Sequence, residues 1–298
     1  MVSSPSPAPA SRARAFLVIV AAYVVALVVA ALVVRWAGPD AHPLRAVACA
    51  DLAATLAVFA ASALVDNSSV YDAYWSVAPI AIAPWLAAHP AAAGAPLARQ
   101  ALVLTLVTLW GLRLTYNWAR GFENLAHEDW RYVDLRRKTG RAYWLVSLFG
   151  IHIMPTVIVY LGCVALYPAL TSPRPLGPLD ALAAAVTLGA IAVELLADEQ
   201  LRAFRKERRE GEILARGLWA FSRHPNYFGE VSFWWGLFLF ALAADPSAWW
   251  AGIGALAINL LFVLASIPML DRRSAARRPE YAEHMLRVSA LVPWFPRE

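Results

Sequence analysis

The sequence predicts an all-α fold, a polytopic bundle of about seven to eight transmembrane helices. The chain of 298 residues is 60% hydrophobic and only 16% charged, with a mean hydropathy of +0.53, whereas a soluble domain is roughly a quarter charged. Its apolar runs approach the roughly 20 residues that a bilayer requires. Its basic residues concentrate in alternate loops, as the positive-inside rule expects. Lipid must therefore surround much of the chain.

Eight apolar segments are candidate spans. They are 16–34, 46–65, 73–89, 101–118, 144–170, 177–197, 229–244 and 248–270. Two are marginal, because 73–89 contains Pro79 and Pro84 and 229–244 is shorter than a bilayer requires. The first apolar run is longer than the core of a typical signal peptide, which favours a retained helix.

These spans divide the chain into four regions of one membrane domain. Residues 1–15 form a Ser/Pro/Ala-rich tail that is predicted to be disordered. Residues 16–118 form the N-terminal helices, 119–143 a cytoplasmic loop, and 144–298 the C-terminal membrane half with its polar loops.

The distribution of charge predicts topology. With the N-terminus inside, the cytoplasmic stretches hold 21 of the 26 Lys and Arg residues and the outside loops hold 4, with Arg113 inside a span. We therefore expect both termini in the cytoplasm and the chemistry on that side. Sparse lysine with abundant alanine and arginine suggests a GC-rich bacterial genome, and hence the inner membrane.

Two classes of function find no support in the sequence. No zinc-finger spacing, helix-turn-helix pattern or basic repeat indicates nucleic acid, because membrane topology already explains the basic loops. Cys49 and Cys163 stand in apolar runs without partners at metal-ligand spacing, so no metal site is predicted.

A stripe of ionisable residues follows the sixth apolar segment. Glu194, Asp198, Arg202 and Arg205 share one face of a helix that leaves the membrane. The same spacing suits a structural ladder of helix ion pairs, so both interpretations stay open. Arg113, within an apolar segment, either pairs inside the bundle or extends to the membrane surface.

A dense polar block stands directly before the seventh apolar segment. The sequence GLWAFSRHPNYFGE, residues 217–230, brings together Ser222, Arg223, His224, Asn226, Tyr227 and Glu230. Backbone amides at a helix start, next to an arginine and a histidine, suit an anion such as a phosphate. A simple helix cap would need one polar residue.

This block resembles the signature of an uncharacterised membrane family related to the steroid 5α-reductases. The superfamily also contains sterol reductases and isoprenylcysteine carboxyl methyltransferases. Segments at 109–114, 194–205 and 267–273 agree with this resemblance, and the blocks DAYWS at 72–76 and EDWRY at 128–132 are similar to the reductase branch in particular. The resemblance spans about residues 66–296 and implies a steroid 5α-reductase-like fold.

The resemblance also implies a site that takes NADPH from the cytoplasm. By matching motifs, the cofactor-binding residues would be Asp198, Arg205, Arg223, His224, Asn226, Tyr227, Glu230, Arg272 and Arg273. The chain departs from the steroid reductases at Glu194, where they have asparagine, and at Trp110, which stands where their substrate-binding tyrosine is expected.

The implied activity is reduction of a C=C bond in a lipophilic substrate, a steroid-like or isoprenoid enone. Such a reaction needs a hydride at one carbon, a proton at the other and a donor for the enolate oxygen. Tyr74 and Asp72, at the cytoplasmic start of a span, are the predicted catalytic pair. An interfacial aromatic and a loop-end acid would look the same.

Two alternatives remain. One is an S-adenosylmethionine-dependent methyltransferase of the isoprenylcysteine carboxyl type, which shares the RHPxYxG pattern. The other is a non-enzymatic lipid-binding protein on the same scaffold. In either case the expected partners are a lipophilic small molecule and membrane lipids, and no nucleic acid.

Overall fold

A computed structural model describes residues 11–297, and the ordered elements in that range are all helical. The α-helices, in chain order, are α1 (Arg12–Ala37), α2 (Pro43–Leu64), α3 (Tyr74–Ala88), α4 (Leu97–Gly121), α5 (Trp130–Thr139), α6 (Tyr143–Ser147), α7 (Met154–Cys163), α8 (Leu166–Thr171), α9 (Pro178–Glu207), α10 (Pro225–Ala244), α11 (Gly252–Leu261), α12 (Ile267–Arg277) and α13 (Tyr281–Arg287). Short 3₁₀ and π turns join several of them, with π turns at Leu148–Ile153 and Phe262–Ser266.

Seven helical runs in the described chain are long and apolar enough to cross a membrane. They are α1, α2, α4, the run Trp130–Thr171 that contains α5 to α8, α9, α10, and the run Ala248–Arg277 that contains α11 and α12. Many large apolar side chains on these helices, such as Leu17 and Leu188, are exposed, as contact with lipid requires. The chain is an integral membrane protein, which confirms the predicted all-α membrane bundle.

The two marginal segments behave differently. The helix α10 starts at Pro225, four residues before the apolar run, so its 20 residues suffice to span. The helix α3 has 15 residues, or about 22 Å, which is shorter than a hydrocarbon core of roughly 30 Å. Both termini share one side only if α3 also crosses, and the cytoplasmic position of the termini stays a prediction.

The predicted tail at 1–15 overlaps the first helix. The helix α1 begins at Arg12, and the hydroxyl of Ser11 accepts a hydrogen bond from the Arg14 amide at 3.4 Å. A serine in this position satisfies an amide that the first helical turn leaves unpaired. The remainder of that prediction, residues 1–10, lies outside the described residues.

The described chain divides into two compact units. Unit 1 comprises the residues up to Trp85 together with Leu114–Tyr160, and unit 2 comprises Leu86–Arg113 together with the residues from Leu161 onward. Each unit has buried polar side chains of its own.

Unit 1 has a buried chain of hydroxyl groups around its π turn. The Ser68 hydroxyl lies 2.6 Å from the Tyr143 hydroxyl and 2.9 Å from the Ser147 hydroxyl. His152, in the turn, lies 3.1 Å from the Ser62 hydroxyl and 3.0 Å from the Ser147 carbonyl oxygen. Because a polar group inside the membrane needs an internal partner, this network fixes the π turn against α2.

Unit 2 is built on a close approach of α9 and α10. A Cβ atom added at Gly236 would lie 2.2 Å from the Thr187 hydroxyl oxygen, and one at Gly229 would lie 2.6 Å from Glu194 Cβ. Small residues at membrane helix interfaces allow this proximity, which gives van der Waals contact and short polar contacts. The packing brings the first turn of α10 against the ionisable stripe of α9.

We expect Gly236→Ala to lower the free energy of unfolding by about 1–3 kcal/mol through overpacking. The Thr187 hydroxyl is held by a 2.7 Å hydrogen bond to the Ala183 carbonyl and cannot move away at no cost. Denaturant unfolding in detergent micelles measures the effect. The matched control is Gly189→Ala on α9, where an added Cβ meets nothing within 4 Å. Equal unfolding midpoints for the two variants would contradict the packing described.

Candidate functional site

The candidate site of unit 2 is built around an arginine within a membrane-spanning helix, Arg113 of α4. Its Nη2 lies 2.7 Å from Glu194 Oε1, and its Nη1 lies 3.0 Å from Asp198 Oδ2. All three side chains are nearly buried. Of the two interpretations of Arg113, the structure supports pairing inside the bundle. The acidic half of the α9 stripe thus binds an arginine from another helix.

Glu230, in the first turns of α10, is held by two indoles. Its Oε2 accepts a hydrogen bond from Trp110 Nε1 at 2.9 Å, and its Oε1 accepts one from Trp234 Nε1 at 2.8 Å. Only 3% of Glu230 is exposed. The ring of Trp110 also stacks on Phe233 at 4.5 Å. Trp110, which stands where a tyrosine was expected, therefore donates a hydrogen bond to a carboxyl group, and Trp234 of α10 donates a second one.

Asn226 completes the group. Its amide nitrogen donates to Asp198 Oδ1 at 3.3 Å. We call Arg113, Glu194, Asp198, Asn226 and Glu230 the Arg113 centre. Two of its carboxyl groups pair with the guanidinium, and the third, Glu230, accepts from the two indoles. Glu194 Oε2 is buried without a hydrogen bond from any residue between 11 and 297. Such a centre is incomplete, and a cation or a hydrogen-bond donor would complete it.

A second cluster forms where Asp271 of α12 meets the residues directly before α10. Arg223 Nη2 lies 2.8 Å from Asp271 Oδ2, and His224 Nε2 lies 3.0 Å from Asp271 Oδ1. The Tyr281 hydroxyl donates to Asp271 Oδ1 at 2.9 Å. Burial and the Asp271 charge raise the pKa of Tyr281, so its hydroxyl stays protonated as a donor. The guanidinium of Arg223 also donates to the Met285 and Val288 carbonyls.

The predicted cofactor residues are thus distributed over several environments of unit 2. Asp198, Asn226 and Glu230 belong to the Arg113 centre. Arg223 and His224 belong to the Asp271 cluster, and the ring of Tyr227 stacks on His224 at 5.4 Å. The side chains of Arg205 and Arg272 are exposed, and that of Arg273 is half-buried. That these residues bind a cofactor stays a prediction. In the described structure the side chains of Arg223 and His224 bind Asp271.

The predicted catalytic pair lies in unit 1, where the two side chains have different partners. Asp72 accepts a hydrogen bond from the Tyr132 hydroxyl at 2.7 Å. The Tyr74 hydroxyl donates to Asp51 Oδ1 at 3.1 Å. Burial raises the pKa of Asp72 to about 6, against the opposing effects of the Tyr132 hydrogen bond and the Arg131 charge. Their catalytic role stays a prediction.

Sequence reasoning did not place Asp51, Trp110 or Trp234 in a site. Asp51 carried a usable signal, since an isolated acid within an apolar span is rarely without function. The two tryptophans carried none, because an indole that donates to a carboxylate cannot be told from a packing or interfacial ring without the fold. Within residues 11–297 no group of three or more His, Cys, Asp or Glu is arranged to hold a metal ion.

Comparison with known proteins identifies the family. Residues 58–288 match the family described as "Protein of unknown function (DUF1295)". The chain belongs to the DUF1295 family. The matched range includes every residue of the Arg113 centre and the Asp271 cluster, whereas Asp51 precedes it.

A relative of this DUF1295 protein is the uncharacterized protein C594.04c of Schizosaccharomyces pombe. The two are 27% identical over 256 residues, which cover 78% of this chain and 74% of the relative. No solved structure matches the chain. Because this relative is fungal, a bacterial inner membrane as the location stays a prediction.

We expect Arg113→Ala to lower the free energy of unfolding by about 3–5 kcal/mol, since it leaves two buried carboxyl groups without their cation. Adding Glu194→Gln and Asp198→Asn should restore part of that loss, because the neutral amides need no counter-charge. Unfolding in detergent is the measurement, with the exposed Arg45→Ala of α2 as control. An Arg113→Ala variant as stable as the control would exclude the pairing.

Asp72 should give unit 1 a defined pH dependence. Its pKa is about 6 when folded, against an ordinary value near 3.9, so the folded chain binds the extra proton between those values. Its contribution to stability is therefore fully present below about pH 4 and is lost as pH rises through 6. Thermal unfolding of wild type and Asp72→Asn across pH 4–7 isolates this contribution. A constant difference between their melting temperatures would contradict it.

Proposed function

We propose that this protein is a membrane-embedded reductase that uses NADPH to reduce a C=C bond in a lipophilic, steroid-like or isoprenoid substrate. The observation that carries the proposal is the Arg113 centre, in which two nearly buried carboxyl groups pair with one guanidinium and a third, Glu230, is held by indoles in the same centre. The resemblance of the RHPNYFGE block to the steroid 5α-reductases supports the same assignment.

The charge balance of the Arg113 centre favours hydride donation. When bound, NADPH supplies a hydride and leaves a positively charged nicotinamide ring. Carboxyl groups in a site of low dielectric stabilise a charge that develops during the reaction more than they stabilise the neutral reactant. Glu194 Oε2, buried and without a hydrogen-bond donor among the residues described, fits a ring that also carries a carboxamide donor.

The same balance makes a methyltransferase the weaker alternative. The sulfonium of S-adenosylmethionine is positive before the methyl group leaves and neutral afterwards. Acidic groups beside it would stabilise the reactant more than the transition state, which slows the reaction. A protein that only binds lipid has no need for Arg113, Glu194 and Asp198 inside the membrane, where ionisable residues are costly.

The remaining residues divide the work of binding. Arg223 and His224 tie the start of α10 to Asp271 and thereby fix the position of Asn226 two residues later. The exposed Arg205 and Arg272 supply positive charge that suits phosphate groups.

Of the predicted catalytic pair, Asp72 is the better acid. Its pKa of about 6 is near the value at which a general acid works at neutral pH, whereas the proton of Tyr74 is donated to Asp51.

Ligand-induced stabilisation tests the cofactor. We expect NADPH to raise the melting temperature of the detergent-purified chain, because a ligand that binds only the folded state at about 100 times its Kd adds roughly 2.7 kcal/mol. NADH and S-adenosylmethionine are the comparison ligands. Asp198→Asn should weaken the NADPH response, since it removes a carboxylate from the Arg113 centre, and the exposed Glu283→Gln should leave it intact.

The three ligands separate the alternatives. Stabilisation by S-adenosylmethionine alone would replace the reductase by a methyltransferase, and no response to any of the three would favour a non-enzymatic lipid-binding protein. Arg272→Ala should reduce the stabilisation by NADPH more than the stabilisation by NADH if this arginine contacts the additional phosphate of NADPH. An equal loss for both nucleotides would remove Arg272 from that role.

A further inference from the structure

A cavity of about 340 Å³ lies in unit 1 between α1, α2 and α3. Alanine and other apolar side chains, among them Leu27, Val47 and Ile82, form most of its wall. This volume is within the range of roughly 300–1,000 Å³ that is typical of small-molecule sites. The helices α1 and α2 are both candidate membrane spans, so the cavity borders the apolar part of the membrane.

Three ionisable side chains line this cavity, and two of them form a buried pair. The hydroxyl of Tyr74 donates to Asp51 Oδ1 at 3.1 Å, and both side chains are at least nine-tenths buried. The third is the exposed Arg35 of α1. Asp51 Oδ2 is buried and receives no hydrogen bond from the part of the chain that the structure describes. An acceptor in this state destabilises the fold unless a donor reaches it.

We propose that the α1–α3 cavity binds a neutral lipophilic alcohol whose hydroxyl donates a hydrogen bond to Asp51 Oδ2. The hydrocarbon body of the alcohol occupies the apolar wall of the cavity. This inference goes beyond the proposed reductase, because it concerns unit 1 alone and holds whichever cofactor unit 2 takes.

The requirement for a donor follows from the direction of the existing hydrogen bond. The proton of Tyr74 is already donated to Asp51 Oδ1, so this pair has no further proton to offer Oδ2, which stays an acceptor without a donor. An ether or a carbonyl group offers only a further acceptor and would leave Asp51 Oδ2 unpaired. A hydroxyl group supplies the missing proton.

The requirement for neutrality follows from Arg35. Its guanidinium lines the same cavity as Asp51. The charges of Asp51 and Arg35 already balance, so a ligand with an ammonium group would leave a net positive charge beside the apolar wall of the cavity. An alcohol adds no charge and still satisfies the carboxyl group.

The test compares three probes with one hydrocarbon chain: farnesol, farnesyl methyl ether and farnesylamine. Binding to the full-length chain in phosphatidylcholine nanodiscs is measured by equilibrium dialysis. We expect farnesol to bind at least about tenfold more tightly than the ether, because a hydrogen bond to a carboxylate is lost in the ether complex. Farnesylamine should also bind more weakly than farnesol.

Asp51→Asn gives the sharper result. With Tyr74 still donating to the amide oxygen, the amide nitrogen replaces Oδ2 and turns the acceptor into a donor. The preference should then reverse, so that the ether binds at least as tightly as farnesol. The exposed Asp40→Asn, in the same unit, is the control and should keep the wild-type preference.

A second variant keeps the proposal testable if Asp51→Asn fails to fold. Ala81→Leu extends a side chain from the wall into the cavity and should weaken all three probes together. Equal binding of farnesol and its ether, tighter binding of farnesylamine, or wild-type affinity in Ala81→Leu would overturn the proposal. NADPH-induced stabilisation is measured separately, so failure here is distinguishable from failure of the reductase assignment.

Discussion

The ion pairs between Arg113 and the two acids of α9 determine how unit 2 is organised. Glu194 and Asp198 lie one turn apart on a helix that is apolar along most of its length, where an uncompensated carboxylate costs several kcal/mol. Nη1 and Nη2 of the planar guanidinium each reach a different acid, at 3.0 and 2.7 Å. A lysine would offer one point of charge in place of this fork. The pairing therefore fixes α4 against α9 both in rotation and in height.

Glycine in α10 allows the rest of the centre to assemble around that pairing. With no Cβ at Gly229, the second turn of α10 packs directly on Glu194, and the next residue, Glu230, lies buried beside it. Glu230 is then solvated by two indole donors in place of water. The close approach of α9 and α10 and the position of the buried acids therefore depend on the same residue, because a larger side chain at 229 would move Glu194 and Glu230 apart.

The sequence could predict what depends on local pattern. Helices α1, α2 and α9 follow from apolar runs of spanning length, and the α9 stripe follows from spacings of four and three residues. Contacts between residues distant in the chain could not be predicted in this way. No local pattern between Arg113 and Glu194 indicates that their side chains form an ion pair. The role of Trp110 also needed the fold, because its indole donates across 120 positions to Glu230. For the helix α3, neither its two prolines nor its length of 15 residues determines whether it crosses the membrane.

The same physical rule connects the two proposals. A polar atom inside an apolar bundle persists when its partners satisfy it, as the hydroxyl network around His152 does in unit 1. Where the protein leaves a buried polar atom without a hydrogen-bond partner, that atom marks a place where a ligand group can bind. Glu194 Oε2 and Asp51 Oδ2 are two such atoms. They differ in the balance of charge around them: Glu194 shares the single guanidinium of Arg113 with a second acid, Asp198, which favours a ligand that becomes cationic, whereas Asp51 has the guanidinium of Arg35 in its own cavity, which favours a neutral donor. The charge around each incomplete acceptor, more than the acceptor itself, therefore decides the chemistry of what binds there.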